Sequence, residues 1–183
     1  EGDVIPVGQV NGRIGTGRIL QLTASRADIQ VELTNPPPAP LPLTLILAMP
    51  RPKMFRRILQ HCATLGVPEI ILLNSYRVEK SFWQTPFLQP EVIRENLLLG
   101  LEQARDTVLP TVRIEKRFKP FVEDQLPALI NDQLALVAPP GDYPACPRGI
   151  DQPLTLAIGP EGGWTDYEVE MLQRQGFACH SFG

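Results

Sequence analysis

A glycine-rich loop between an apolar run and a helix start constrains the fold of this chain more than any other feature. The apolar run Leu154–Ile158 stops at the sequence Gly159-Pro-Glu-Gly-Gly163. Thr165 and Glu168 follow with the spacing of a capping box, which marks the first turn of a helix. Gly176 lies where a helix commonly ends. The segment therefore predicts a buried strand, a glycine-rich loop and a helix.

The composition of this loop suits a small ligand held by main-chain groups. Three glycines in five residues allow a ligand to approach the backbone closely, and a side chain at Gly162 is expected to block that approach. Free N–H groups at a helix start favour polar or anionic ligand groups. The loop has neither the lysine of a P-loop nor the dinucleotide-binding spacing, so a ligand other than ATP or NAD is expected. An ordinary tight turn has the same pattern and remains an alternative.

Apolar runs alternate with helical patterns over most of the chain, which predicts an α/β fold. Strands are predicted at 43–49, 70–73, 111–114, 134–138, 154–158 and 177–182, and helices from Pro52 to about residue 65 and at 90–107, 121–130 and 166–175. Strands separated by helices imply a largely parallel sheet with helices on both faces. Ligands bind outside the carboxyl ends of such strands. The breaks at 138–141 and 158–163 therefore predict two loops of one pocket.

The first 42 residues differ in pattern from the rest. Residues 1–34 alternate apolar and polar side chains and contain Asn11-Gly12, a strong hairpin signal. They predict short antiparallel strands belonging to part of a small β-barrel domain. Residues 35–42 are rich in proline and predict a stiff, extended linker. The α/β domain is expected to occupy residues 43–183.

Composition excludes several classes of protein. No apolar stretch reaches about 18 residues, so no membrane-spanning helix is predicted. Cys62, Cys146 and Cys179 lie far apart and are expected to be reduced, in a cytoplasmic chain. His61 and His180 lack metal-ligand spacing, so both are expected to be structural and no metal site is predicted. Ser75 and Ser81 lack the sequence context of a hydrolase nucleophile, so hydrolase chemistry is not expected.

Charge is distributed unevenly along the chain. The net charge is −3, but residues 1–119 hold 15 basic and 11 acidic side chains, whereas residues 120–183 hold 2 basic and 9 acidic ones. Basic clusters of the first part are able to neutralise phosphates. A solvated surface gives the same pattern and remains an alternative. The candidate RNA-binding residues are Arg51, Lys53, Arg56, Arg57, Arg77, Lys80, Lys116, Arg117 and Lys119.

Several ordered segments together resemble the SPOUT class of RNA methyltransferases. The closest similarity is to the family that methylates N3 of uracil 1498 in 16S rRNA. The segments are Ile158–Gly163 with Glu168-Val169 and Gly176-Phe177, the stretch 45–81, and Glu102–Arg105. The resemblance covers roughly residues 42–183, with a fainter match in residues 1–34. It implies a SPOUT-like, trefoil-knotted α/β domain after part of a PUA-like barrel, and a homodimer.

The resemblance also implies a cofactor, a substrate and their binding residues. S-adenosylmethionine is expected as methyl donor, with 16S rRNA or the small ribosomal subunit as partner. Arg77, Lys80 and the aromatic residues Phe82 and Trp83 follow a strand end and are candidates for RNA contact, although the two aromatic side chains are equally suited to packing. The expected cofactor-binding residues are Val137, Ala138, Pro139, Ile158, Gly159, Pro160, Glu161, Gly162, Gly163, Phe182 and Gly183.

Some roles remain open at this stage. Glu161 is expected either to stabilise the start of the helix at residue 166 through the helix dipole or to orient the cofactor or the base. No catalytic residue is assigned, because the family supplies arginines from a segment beyond Gly183. A SPOUT enzyme for another RNA and a non-catalytic RNA-binding adapter are the alternative functions.

The family pattern extends beyond both ends of this sequence. It continues past Phe182-Gly183 and begins with more of the barrel, so we expect the 183 residues to be part of a longer protein. A pocket that lacks its third loop buries less of a ligand. The sequence therefore predicts weak cofactor binding by these residues alone, and a structure without bound cofactor.

Overall fold

The computed structural model describes residues 2–182 and contains two sheets. The smaller sheet is antiparallel and consists of β1 (Val4–Gly8), β2 (Ile14–Leu22) and β3 (Ala27–Asn35) in that order. Asn11, in the turn between β1 and β2, has φ 57°, as the Asn-Gly hairpin signal predicts. Residues 36–42 form no helix or strand. The antiparallel strands are confirmed, whereas the division into barrel, linker and methyltransferase domain stays a prediction.

The larger sheet has six parallel strands. They are β4 (Leu43–Ala48), β5 (Glu69–Leu73), β6 (Thr111–Glu115), β7 (Leu134–Ala138), β8 (Leu154–Ile158) and β9 (Ala178–Cys179), in the order β6-β5-β4-β8-β7-β9. The central strand β4 pairs with β5 on one side and with β8 on the other. Ile46 and Ile71 are fully buried, as the continuous apolar runs predict for strands covered on both faces. The predicted parallel α/β sheet is confirmed.

Helices connect most of these strands, whereas β7 and β8 are joined by residues 139–153, which contain no helix. The helices are α1 (Pro52–Thr64), α2 (Pro90–Ala104), α3 (Phe118–Pro120), a π-helix (Phe121–Gln125), α4 (Leu126–Leu129) and α5 (Asp166–Arg174), with 3₁₀ helices at Lys80–Gln84 and Pro86–Leu88. The helix predicted at 121–130 is thus divided into short pieces that begin at Phe118. Pro127 lies inside this stretch and lacks the N–H group that a continuous α-helix needs, which accounts for the irregular π-helical turn before it.

Two predicted boundaries were wrong. The helix predicted at 90–107 ends at Ala104, because Arg105 adopts a left-handed conformation and the Asp106 carboxylate accepts the N–H groups of Thr107 and Val108. The strand predicted at 177–182 pairs with β7 only at Ala178–Cys179. The following residues bond instead to the loop after β7: the N–H of Cys146 donates to the carbonyl of Ser181, and the N–H of Ser181 to that of Pro144.

Helices α1 and α2 pack closely, and a glycine permits the contact. A Cβ atom at Gly100 of α2 would lie 2.3 Å from the carbonyl oxygen of Gln60 in α1. The Thr64 hydroxyl donates to the Gly100 carbonyl at 3.2 Å, and the Gln60 side chain donates to that of Asn96 at 2.8 Å. Because the obstructing atom belongs to a helical backbone, a side chain at this position forces the helices apart.

We expect Gly100→Ala to lower the free energy of unfolding by about 1–3 kcal/mol, because the overpacking cost exceeds the helix propensity that alanine gains. Urea denaturation measures this change. The control Gln103→Ala, at an exposed position of the same helix, is expected to stay within about 0.5 kcal/mol of the original chain. Equal stability of the two variants would show that the α1–α2 contact does not require glycine.

Candidate cofactor pocket and basic edge

A cavity of about 440 Å³ lies at the carboxyl ends of β7 and β8 and beside β9. Three chain segments that are distant in sequence line it. They contribute Ala138, Pro139, Pro140 and Gly141; Ile158, Gly159, Pro160, Glu161, Gly162 and Gly163; and His180, Ser181 and Phe182. The structure thus brings together most of the residues that the sequence and the resemblance suggested for a cofactor. Val137 is buried in β7 and does not line the cavity, and Gly183 lies outside the described residues.

Main-chain bonds hold the walls of this cavity. The carbonyl of Val137 accepts the N–H of His180 at 3.0 Å, so Val137 supports the rim from behind. The Nδ1 atom of His180 lies 3.1 Å from the carbonyl oxygen of Ala145. In the glycine loop, the N–H of Gly163 donates to the carbonyl of Pro160 at 2.7 Å and closes a turn. The cavity is therefore formed by backbone segments that are tied to each other and to the sheet.

Gly159 and Gly163 have the strictest steric requirement in the loop. Gly163 has φ 72°, and a Cβ atom there would lie 2.9 Å from Cγ of Pro140. A Cβ at Gly159 would lie 3.0 Å from the buried Trp164 ring. At Gly162 the nearest atom is Cδ of Arg77, at 3.3 Å, on a flexible side chain. A side chain at Gly162 would therefore press on Arg77 first, which differs from the expectation that it blocks the ligand directly.

The capping box of α5 also binds the loop after β5. Thr165 and Glu168 form the predicted reciprocal bonds, which confirms the helix start. The Glu168 carboxylate is only 3% exposed and also accepts the N–H of Tyr76, at 2.8 Å. Arg77 donates from Nη1 to the carbonyls of Gly162 and Trp164. Two adjacent residues after β5 thus hold the glycine loop and the helix that follows it.

Glu161 stabilises a different helix from the one expected. Its carboxylate accepts the N–H of Arg51 at 3.2 Å, and its Oε1 lies 3.9 Å from Nε of the same arginine. Arg51 precedes α1, whose first turn contains no acidic residue. The negative charge therefore lies at the start of α1 and favours its dipole. At the start of α5 this role belongs to Asp166 and Glu168.

The predicted basic residues follow three neighbouring strands of the parallel sheet. Arg51, Lys53, Arg56 and Arg57 come after β4, Arg77 and Lys80 after β5, and Lys116, Arg117 and Lys119 after β6. The strands are parallel and β4 is also the neighbour of β8. All three groups therefore lie on the same side of the sheet as the cavity, at the carboxyl ends of the strands, which we call the carboxyl edge. Two of these basic side chains already contact other residues of the chain. The Arg56 guanidinium lies 5.1 Å from the centroid of the Phe87 ring, and the Lys119 ammonium lies 3.7 Å from the Glu123 carboxylate.

Aromatic residues near this edge are only partly available. The Trp83 ring donates from Nε1 to Oδ1 of Asn74 at 2.8 Å and is half-buried, and Phe82 packs against the core. Sequence reasoning missed Tyr76, which lies in the loop after β5 and is 87% exposed. Its position three residues after a predicted strand end was the one available signal.

The described residues contain neither a reactive cysteine nor a metal-binding cluster. Cys62, Cys146 and Cys179 are free thiols, as predicted. Burial raises the pKa of Cys62 to about 11, so this thiol is protonated and unreactive at neutral pH. No group of histidine, cysteine and carboxylate side chains between residues 2 and 182 is arranged to hold a metal ion. No helix in that range is long and apolar enough to cross a membrane.

Comparisons with known proteins agree with this architecture. Residues 37–183 match the family model described as RNA methyltransferase domain. The chain is 30% identical over 142 residues to ribosomal RNA small subunit methyltransferase E of Treponema pallidum, covering 73% of this chain and 52% of that protein. A ribosomal RNA small subunit methyltransferase E 1 of Borreliella burgdorferi is 24% identical over 141 residues, covering 73% and 56% respectively.

A solved structure shows the same fold over the whole chain. Ribosomal RNA small subunit methyltransferase E from Neisseria gonorrhoeae, a structure bound to S-adenosyl methionine, superposes with a TM-score of 0.77 at 24% identity and covers 100% of this chain and 75% of that one. The chain spans about half the length of the curated relatives it matches. On the match over residues 37–183, the chain belongs to the RNA methyltransferase domain family.

Proposed function

We propose that the protein transfers a methyl group from S-adenosylmethionine to N3 of a uracil, at position 1498, in 16S rRNA. One observation carries the proposal: a glycine-lined cavity of cofactor size shares its sheet edge with three groups of basic residues. Family membership and the names of the relatives supply the type of reaction and the RNA class. The specific nucleotide comes from the resemblance to the uracil-N3 family.

The residues that line the cavity fit S-adenosylmethionine. Its volume lies within the range of about 300–1,000 Å³ that is typical of small-molecule sites. The side chains of Ile158 and Phe182 are exposed and offer apolar surface to a flat ring. The N–H groups of Glu161 and Gly162 donate to no acceptor within residues 2–182 and are available to polar ligand groups. We assign cofactor contact to the residues that line this cavity.

The bound cofactor would supply a methyl group that is already activated as a sulfonium. The chain must then hold the uracil in line with that group and favour loss of its N3 proton. Positive charge near the base stabilises the uracil anion. Arg77 carries such a charge beside Gly162, a residue of the cavity wall. We propose that Arg77 has two tasks: it anchors the glycine loop and it favours the anionic base.

The basic residues after β4, β5 and β6 are proposed to bind the RNA backbone. Nine cationic side chains lie along the part of the edge next to the cofactor cavity. Contacts of this kind contribute affinity that depends on salt concentration and position the RNA without reading its sequence. We further propose a cytoplasmic protein, because ribosomal RNA is its proposed substrate.

A homodimer is proposed from apolar surface that the core leaves uncovered. Met171 and Leu172 of α5 are buried, whereas Tyr167 on the same helix is 56% exposed. Phe182 is 48% exposed near the cavity. The SPOUT resemblance implies pairing through this region of the fold.

Cofactor binding is tested most directly at Ile158. We expect Ile158→Ala to weaken S-adenosylmethionine binding about fivefold, because the variant removes roughly 1 kcal/mol of apolar contact. Isothermal titration calorimetry measures the dissociation constant. Ile114→Ala is the matched control, since Ile114 is 39% and Ile158 38% exposed, and Ile114 lies on β6 outside the cavity. If both variants bind S-adenosylmethionine with the same affinity, this cavity is not the cofactor site.

Methyl transfer is tested with tritiated S-adenosylmethionine on small ribosomal subunits and on tRNA. We expect labelled 3-methyluridine from the ribosomal particles only, and at least a tenfold lower rate in Arg77→Ala. Arg94→Ala, which removes an exposed arginine from α2, is expected to keep the original rate. Label on tRNA alone would favour a SPOUT enzyme for another RNA. RNA binding without any cofactor binding would favour the non-catalytic adapter.

The oligomeric state is tested by light scattering at micromolar concentration. We expect a mass of about twice the 20.3 kDa of one chain. Tyr167→Asp is expected to yield monomers, because a carboxylate replaces exposed apolar surface. Tyr76→Asp, at a more exposed tyrosine away from α5, is expected to remain dimeric. A monomer of the original chain would refute the proposed pairing.

A further inference from the structure

A second cavity opens at the carboxyl ends of β5 and β6. It has a volume of about 480 Å³, and its lining includes Asn74, Ser75, Tyr76, Lys80, Trp83 and Lys116. It shares no lining residue with the cofactor cavity. The adjacent residue Arg77 nevertheless bonds to the glycine loop, so the two cavities are connected through one side chain. A ligand of this second cavity would therefore lie beside the cofactor site without entering it.

The aromatic residues of this cavity provide a surface for stacking. Tyr76 is 87% exposed, so most of its ring is open to solvent and available to a ligand. Its main-chain N–H is held by the buried Glu168 carboxylate, so the backbone beneath the ring is fixed. Trp83 is fixed by its bond to Asn74. Bases of single-stranded RNA stack on aromatic side chains placed in this way.

Polar groups at the inner wall have unused hydrogen-bonding capacity. Ser75 is 3% exposed, and its Oγ has no hydrogen-bond partner within residues 2–182. A buried hydroxyl without a partner is costly, so it calls for a partner from outside the chain. Asn74 accepts the Trp83 N–H with Oδ1, which leaves its Nδ2 group free to donate. A hydroxyl and an amide donor suit the carbonyl oxygens of a pyrimidine base.

Two ammonium groups at the mouth of the cavity lack carboxylate partners in the described range. Neither Lys80 nor Lys116 forms an ion pair there. The acidic neighbours have other contacts: Glu79 accepts the Ser81 hydroxyl at 3.4 Å, and Glu115 bonds to Arg113 and Gln125. The lysines therefore remain available to a phosphate.

We propose that this cavity binds one nucleotide of the substrate RNA other than the nucleotide that is methylated. The base stacks on Tyr76, its edge bonds to Asn74 and Ser75, and its phosphate lies between Lys80 and Lys116. This inference rests on the proposed function, because it requires an RNA substrate at this edge. Binding here would position the RNA strand while Arg77 holds the glycine loop.

The test uses a fluorescein-labelled single-stranded RNA of about ten nucleotides that carries the sequence around the proposed target uracil. Fluorescence anisotropy measures its affinity for the protein. We expect Tyr76→Ala to weaken binding about fivefold or more, and Tyr76→Phe, which keeps the ring, to restore it. Lys80→Ala and Lys116→Ala are each expected to lower the salt slope by about 0.7. Arg94→Ala is the control for loss of an exposed positive charge that does not line this cavity.

Ser75→Ala adds a readout that separates binding from folding. We expect this variant to keep its thermal stability, because no internal hydrogen bond is lost, and to bind the RNA about threefold more weakly. Calorimetry is expected to give the original S-adenosylmethionine affinity in all variants of this cavity. RNA binding that is unchanged in Tyr76→Ala and Ser75→Ala would overturn the inference alone. If the unsubstituted protein does not bind the RNA, both the proposed function and this inference are wrong.

Discussion

The pairing of β4 with β8 is the interaction on which the rest of the structure depends. Residues 43–47 pair in parallel with residues 154–158, more than a hundred positions along the chain. This pairing places the carboxyl end of β4, and the basic start of α1, beside the glycine loop. Arg51 and Glu161 meet across this junction. A sheet in which β4 and β8 were not neighbours would separate the basic residues from the proposed cofactor cavity.

The main elements were predictable because their signals are local. Apolar runs identified β4, β5, β7 and β8, and the Thr165–Glu168 capping box identified the start of α5. Proline and glycine residues, which interrupt regular secondary structure, indicated the loops at 138–141 and 158–163. The rule that ligands bind at the carboxyl ends of parallel strands then placed both loops in one pocket. The lining of the cavity agrees with that reasoning.

The remaining features depend on contacts between distant residues. Nothing in the local sequence indicates that Arg77 bonds to Gly162, or that Glu161 lies at the start of α1. The early end of β9 results from competition, because the segment around Cys146 takes the pairing positions beyond Cys179. The cavity around Tyr76 forms only when the loops after β5 and β6 meet. Such pairings are set by the folded topology, which single-residue patterns do not encode.

The central claim is that the loops after β7 and β8, together with residues 180–182 where the third loop begins, form the cofactor site. Two-dimensional ¹H–¹⁵N NMR spectra, recorded while S-adenosylhomocysteine is added, test it most directly because glycine amides report on the loop itself. The account predicts concentration-dependent shifts of the Gly159, Gly162 and Gly163 signals, with Gly12 and Gly100 unchanged. Shifts confined to residues of the smaller sheet, or no shifts at millimolar ligand, would contradict it.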